Sequence, residues 1–383
     1  MTKDADARRS RRDDVWLGRM GLFEKMQTLS CPGRAVALRL MLLLAPLSVF
    51  SCRNKALPAA VAAPAVGVIS ASGKMRGLTF VAPPRPFRSD PMQPIAALGS
   101  DCIAVIPYAF SRPGQPSVRY DIAQWQWWGE RPEGVRASIA LARQAGLKVM
   151  LKPQVYVPGS WTGQLVFETP EDWARWESDY TAYIADMARM ADTMEVDLFC
   201  IGTEFGRSVA QQPEFWRELI RKVRAIYRGK LTYAANWDEW ENTPFWEELD
   251  YVGVNAYFPL LPDPTPSTEA LAEAWTPIVQ RLEALSVRVG RPILFTEYGY
   301  LSVDQCAWRT WELEADVQSR RINERAQSNA LAALWSVFSG RSWWAGGFLW
   351  KWFPEMQGHE GYPERDYTPQ GKEAEETLAR IFK

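Results

Sequence analysis

From Lys74 onward, short apolar runs alternate eight times with segments of helical periodicity. The runs are Arg76–Val81, Cys102–Ala109, Lys148–Val157, Leu198–Phe205, Lys230–Trp237, Tyr251–Phe258, Pro292–Tyr300 and Gly346–Phe353. A run that is apolar at nearly every position suits a parallel strand covered on both faces. Eight strand–helix repeats therefore predict an α/β protein, a closed (β/α)8 TIM barrel over residues 74–383. An open doubly wound sheet would announce a glycine-rich phosphate loop after its first strand, and Val81-Ala82-Pro83-Pro84 is not one.

The segments between the runs support the count. Trp173, Trp176, Tyr180, Tyr183, Ile184, Met187 and Met190 recur at helical spacing, so these aromatics read as packing. Thr169-Pro170-Glu171-Asp172 supplies that helix with a cap, a proline at its first position and acids in its first turn. Thr368-Pro369 reads the same way for the last helix.

Two of the buried runs end in an acid, Glu204 in the fourth and Glu297 in the seventh. Burying a carboxyl costs several kcal/mol unless it is paired or used, about 2–7 for a polar group and more for a charge. In a β/α barrel the strand ends line the active site, and polar or aromatic residues gather there on most strands. They are Tyr108; Lys152 and Gln154; Asn236 and Trp237; Asn255 and Tyr257; and Trp350, Lys351 and Trp352. Two carboxylates facing each other across such a mouth suit cleavage of a glycosidic bond, one protonating the leaving oxygen and the other attacking the anomeric carbon. The competing reading pairs the two acids with Lys152, Lys351 or a rim arginine, and leaves Gln154, Asn236 and Asn255 as satisfied amides holding loops.

Composition narrows the chemistry further. His359 is the one histidine in 383 residues, which excludes Ser-His-Asp and Cys-His nucleophile systems and histidine-ligated metals. No metal or cofactor is expected. A formal net charge of −1 gives no field to gather nucleic acid. Nineteen tryptophans exceed ordinary usage and suggest flat apolar platforms for sugar rings beside those in the core. Of the five cysteines, Cys102 and Cys200 fall inside strands and read as buried thiols.

Cys52 differs. It follows a short apolar run, residues 35–50, that is preceded by Arg34 and is too short to span a bilayer. The pattern resembles a bacterial lipoprotein signal, with lipid on Cys52; the alternatives are ordinary secretory cleavage nearby or an uncleaved anchor. Residues 1–52 then form the signal region, and the Ala/Pro-rich residues 53–73 form a tether that holds the domain at the bacterial cell envelope.

Taken together, Ile201-Gly202-Thr203-Glu204, Val254-Asn255-Ala256-Tyr257, Thr296-Glu297-Tyr298-Gly299, Phe348-Leu349-Trp350-Lys351-Trp352 and Asp366-Tyr367-Thr368-Pro369-Gln370-Gly371-Lys372 resemble glycoside hydrolase family 113. That family belongs to a clan of retaining barrel glycosidases and acts mainly on β-1,4-mannan. The resemblance implies Glu204 as general acid/base, Glu297 as nucleophile, Trp350 as floor of the cleavage subsite and Tyr257 beside the nucleophile. Thr203 stands where most of the clan has an asparagine contacting the sugar's 2-hydroxyl. The expected partner is thus an oligo- or polysaccharide. Two other readings use the same residues: a surface glycan-binding lipoprotein whose catalysis has lapsed, and a transglycosidase.

Overall fold

The computed structural model describes residues 73–120, 126–356, 358 and 360–383. The signal region with Cys52, nearly all of the tether, and His359 lie outside these residues. Eight parallel strands, β1 (Met75–Phe80), β2 (Cys102–Val105), β3 (Lys148–Leu151), β4 (Leu198–Thr203), β5 (Lys230–Asn236), β6 (Val252–Asn255), β7 (Ile293–Tyr298) and β8 (Trp344–Trp352), close into a barrel. Each pairs with its neighbours in sequence, and β8 returns to β1.

Each expected run overlaps one barrel strand, with β1 starting at Met75 and β8 at Trp344, ahead of their runs, but the second and third are cut short. Pro107 and Pro153 fall inside them, and proline offers no N–H to a ladder. Beyond the prolines the chains pair again outside the barrel, as a two-stranded parallel ribbon of Tyr108–Phe110 and Gln154–Tyr156. The ribbon carries Tyr108, Gln154 and Tyr156 up beside the mouth.

Side-chain alternation along the strands separates two cores. Cys102, Ala104, Met150, Leu198, Cys200, Ala234, Leu294 and Phe348 pack together as one cluster, on alternate positions of their strands. Their neighbours, such as Ile103, Val149, Phe199 and Phe295, join the larger core shared with the helices. Cys102 and Cys200 are buried free thiols, as expected, and Cys306 is a third.

Of the helices, α1 (Gln93–Leu98) and α2 (Pro132–Gln144) precede α3 (Pro170–Thr193). The α3 helix begins where the sequence places it: the Thr169 side chain accepts a hydrogen bond from Asp172 N, Pro170 opens the helix, and all seven of the expected aromatic and aliphatic residues are buried. After these come α4 (Gly206–Gln211), α5 (Pro213–Ile226), α6 (Thr268–Val289), α7 (Thr310–Glu314), α8 (Glu324–Phe338) and α9 (Glu373–Phe382).

The last helix departs from expectation. It starts at Glu373 with no side-chain cap, and Thr368-Pro369 instead forms a turn ahead of it. Gln370 explains the delay: its amide accepts from Phe353 N at 2.8 Å and donates to Phe353 O at 3.0 Å, imitating a strand neighbour just past β8. Lys372 Nζ donates to Asp366 O and Ser302 Oγ, both at 2.8 Å, which fixes the same segment to the loop after β7.

Candidate active site

Both acids sit just beyond an irregularity in their strands. In β4 the register against β5 slips between Cys200 and Thr203, and in β7 the register against β6 slips between Phe295 and Glu297. A bulge of this kind at a barrel rim re-aims the following side chain. In β7 it lets two consecutive residues face Asn255: Thr296 Oγ1 donates to Asn255 Oδ1 at 2.9 Å, and Glu297 stands opposite Asn255 in the register. At Glu204 the backbone turns into the left-handed region, with φ +57°. That turn is held by Glu204 N donating to Ala234 O at 2.8 Å and by Phe205 N donating to Tyr233 OH at 2.7 Å.

The two carboxyl groups have different surroundings. Glu204 accepts from Asn255 Nδ2 on Oε1 at 2.9 Å and from Trp161 Nε1 on Oε2 at 2.7 Å. Burial raises its pKa from the usual carboxylate value to about 7, helped by the charge of Glu297 and opposed by those two hydrogen bonds and by the charge of Lys152. Glu297 is ion-paired instead: its Oε1 accepts from Lys152 Nζ and, at 3.3 Å, from Gln154 Nε2, while Oε2 accepts from Tyr257 OH at 2.8 Å. Burial and the Glu297 charge together push the Tyr257 phenol well above its ordinary pKa, so it stays a donor. One group is arranged to hold a proton near neutrality and the other is arranged as an anion, which is the division that acid–base cleavage by two carboxyls requires.

Both acids open on a cavity of about 340 Å³ at the barrel mouth. Tyr108, Gln154, Asn236, Trp237, Asn255, Tyr257, Trp350 and Lys351 all line it. Two of the residues expected there are not on its wall. Lys152 has no exposed surface and sits behind Glu297, so the ion-pair alternative describes it better than substrate contact does. Trp352, 2% exposed, faces the core beside Phe80. Thr203 does line the cavity, but its hydroxyl is buried without a hydrogen-bond partner, so the surface it offers there is not the hydroxyl. Lys351 pairs with Asp366 at 3.1 Å, and Asn236 Nδ2 donates to Asp238 at 2.9 Å.

Several cavity residues carry no signal in the sequence. Trp161 lies in the loop after the ribbon and Trp311 in α7, where spacing says nothing about their partners. Trp311 stacks on Trp237 with ring centroids 5.1 Å apart and planes at 11°. Glu314, also on α7, accepts a hydrogen bond from Tyr367 OH. Outside the cavity wall, Glu239 lies beyond β5 against Gly206, with one carboxyl oxygen buried and unpartnered, and burial raises its pKa to about 8. The tryptophan excess thus divides: Trp127, Trp161, Trp237, Trp311 and Trp350 line the cavity, whereas Trp176, Trp216, Trp240, Trp275, Trp335 and Trp344 are fully buried. Among the described residues no group of acids, cysteines or histidines is placed to hold a metal ion.

Comparison with known proteins fits this geometry. The sequence profile described as Glycoside Hydrolase Family 113 matches residues 89–372. The chain belongs to glycoside hydrolase family 113. Its structure is similar to that of the GH113 β-mannanase AaManA from Alicyclobacillus acidocaldarius, solved in complex with ManMIm. The two share 25% identity and a TM-score of 0.68 over 81% of this chain and 97% of that one. A GH113 β-1,4-mannanase complex matches at 23% identity and a TM-score of 0.68, over 81% of this chain and 98% of that one. A β-glucuronidase from Ruminococcus gnavus matches at 15% and 0.54, over 81% of this chain and 50% of that one; these last two likenesses speak for the fold alone. No curated protein sequence matches the chain. As a family 113 member the protein is a glycoside hydrolase on a (β/α)8 barrel.

Proposed function

We propose that this family 113 enzyme cleaves β-1,4-linked mannan with retention at the anomeric carbon, using Glu297 as nucleophile and Glu204 as acid/base. The observation that carries the assignment is the opposite treatment of the two carboxyls. Glu204, desolvated and raised to about 7, holds a proton to give the leaving oxygen. Glu297, with Lys152 and Gln154 on one oxygen and Tyr257 on the other, is oriented as an anion toward the cavity. After the glycosyl ester forms, Glu204 takes the proton of the incoming water. Mannan as substrate is supported by AaManA, which is described as a β-mannanase. Trp350 and the Trp237–Trp311 stack supply the flat apolar surfaces on which sugar rings rest.

The test is release of oligosaccharides from β-mannan, glucomannan, xylan and β-glucan by residues 74–383, with Glu297→Gln as control and the product anomer followed by proton NMR. Mannan-specific release with retention, absent in the control, is expected. Inverted product would remove the nucleophile role, and binding without release would favour a glycan-binding protein.

We also propose that lipid on Cys52 holds the enzyme at the cell envelope. Fatty-acid labelling should be lost in Cys52→Ser; a labelled variant would refute the anchor.

A further inference from the structure

A buried ion pair needs a reason beyond Coulomb attraction, because apolar residues of similar volume often stabilise a protein as well or better. Lys152 has no exposed surface, and its ammonium lies on Oε1 of Glu297. The titratable groups facing Glu204 are Glu297 from β7, Tyr233 from β5, Tyr257 after β6, Glu239 beyond β5 and Lys152 after β3. Lys152 is the positively charged member of that set.

We infer that Lys152 is the fixed counter-cation of both carboxyls in turn, pairing with ionised Glu297 in the free enzyme and balancing ionised Glu204 in the glycosyl-enzyme. This rests on the glycosidase reading above. Oε1 of Glu297 carries two donors, Lys152 and Gln154, and Oε2 carries one, Tyr257. The less encumbered Oε2 is the attacking atom. Its lone pair bonds to the anomeric carbon, the electron pair of the broken C–O bond leaves with the glycosidic oxygen, and Glu204 gives that oxygen its proton. The negative charge thereby passes from Glu297, now an ester, to Glu204. Oε1 becomes the ester carbonyl with the ammonium still on it, which polarises the ester for departure. In the second step Glu204 takes a proton from water, the water oxygen bonds to the anomeric carbon, and the ester pair returns to Glu297. Lys152, Glu204 and Glu297 sum to zero charge at both resting points, so this buried trio carries no net charge while the reaction moves one across it.

Lys152→Met, which keeps length and removes charge, tests this on β-1,4-mannotetraose and on a 2,4-dinitrophenyl β-mannobioside. The alkaline limb of kcat/KM, set by Glu204, should move up by about one pH unit, because a cation that lowers its pKa is gone. On the activated substrate kcat should fall by roughly 10²-fold together with KM, the sign of an accumulating glycosyl-enzyme. A folded variant with its limb in place and kcat within about threefold of wild type overturns the inference. Should Lys152→Met fail to fold, Lys152→Met with Glu297→Gln removes both charges together and should melt within a few degrees of wild type. Failure of that double variant to fold overturns the inference too, since it assigns Lys152 to packing. Wild type is assayed first: no turnover on any β-glycoside defeats the glycosidase reading and with it this one, whereas an active wild type and an unaltered Lys152→Met defeat this one alone.

Discussion

Asn255 gives its amide hydrogen to Glu204 at 2.9 Å and cannot be turned around, because its carbonyl oxygen is taken by the Thr296 hydroxyl at 2.9 Å. The hydroxyl beside Glu297 thus sets the hydrogen-bond sense at Glu204. Asn255→Ala removes a donor that favours the ionised form of Glu204, so the alkaline limb of kcat/KM should shift upward as kcat falls by roughly 10²-fold. Thr296→Val, which frees the amide to rotate, should move the limb the same way by less. A limb that moved downward in either variant would contradict this reading.

The charge of Glu297 is the second cause of the raised Glu204 pKa, after burial. Glu297→Gln should therefore lower the Glu204 pKa from about 7 toward the ordinary carboxylate range. Carbon-13 NMR of labelled glutamate in that variant reads this directly, and an unchanged titration would show that burial alone sets the value.

Glu239 keeps a proton in the folded protein up to about pH 8, where the unfolded chain has already released it. Its contribution to stability is complete below the ordinary carboxylate pKa and is lost as pH rises through about 8. Thermal melts between pH 5 and 9 should thus show Glu239→Gln gaining on wild type toward alkaline pH. A constant difference across that range would leave the raised pKa without consequence for folding.

Gly253 lies in β6 where an added Cβ would come within 2.1 Å of the Tyr233 backbone oxygen in β5. Backbone cannot swing aside as a side chain can, so Gly253→Ala should destabilise the barrel by about 1–3 kcal/mol or more, seen as a lowered denaturant midpoint.

Trp311 reaches the cavity only through α7. Loss of its ring in Trp311→Ala should raise KM for long substrates by about 3–10-fold, the worth of one aromatic contact, with kcat little changed. Equal losses on short and long substrates would take the ring out of the binding surface.

How much of this was readable from the chain depends on whether partners are local. The barrel was legible because apolar runs and a capped helix such as α3 express their environment in adjacent residues. The proline breaks were visible too, yet the ribbon they release was not: Tyr108 and Gln154 meet only because β2 and β3 are neighbours. Thr368-Pro369 misled because a cap signature holds only when the next residues are free to wind into a helix, and here Gln370 is engaged by Phe353. Glu204 and Glu297 stood out as acids ending apolar runs, while Trp161, Thr296 and Glu239 did not. Their importance lies in contacts made across 43, 41 and 33 residues of chain, to Glu204, Asn255 and Gly206. Lys152 stands at a strand end in the sequence, but whether it faces sugar or carboxylate depends on depth, which strand periodicity alone does not fix.

The left-handed backbone at Glu204 has a consequence for stability as well as chemistry. Glycine takes that conformation freely and glutamate does not, at a cost of about 1 kcal/mol or more. Glu204→Gly should then melt higher than the active enzyme, relieved of both the turn and the buried carboxyl. Stability alone would favour glycine in that turn, so the proposed proton transfer is what would account for a glutamate there.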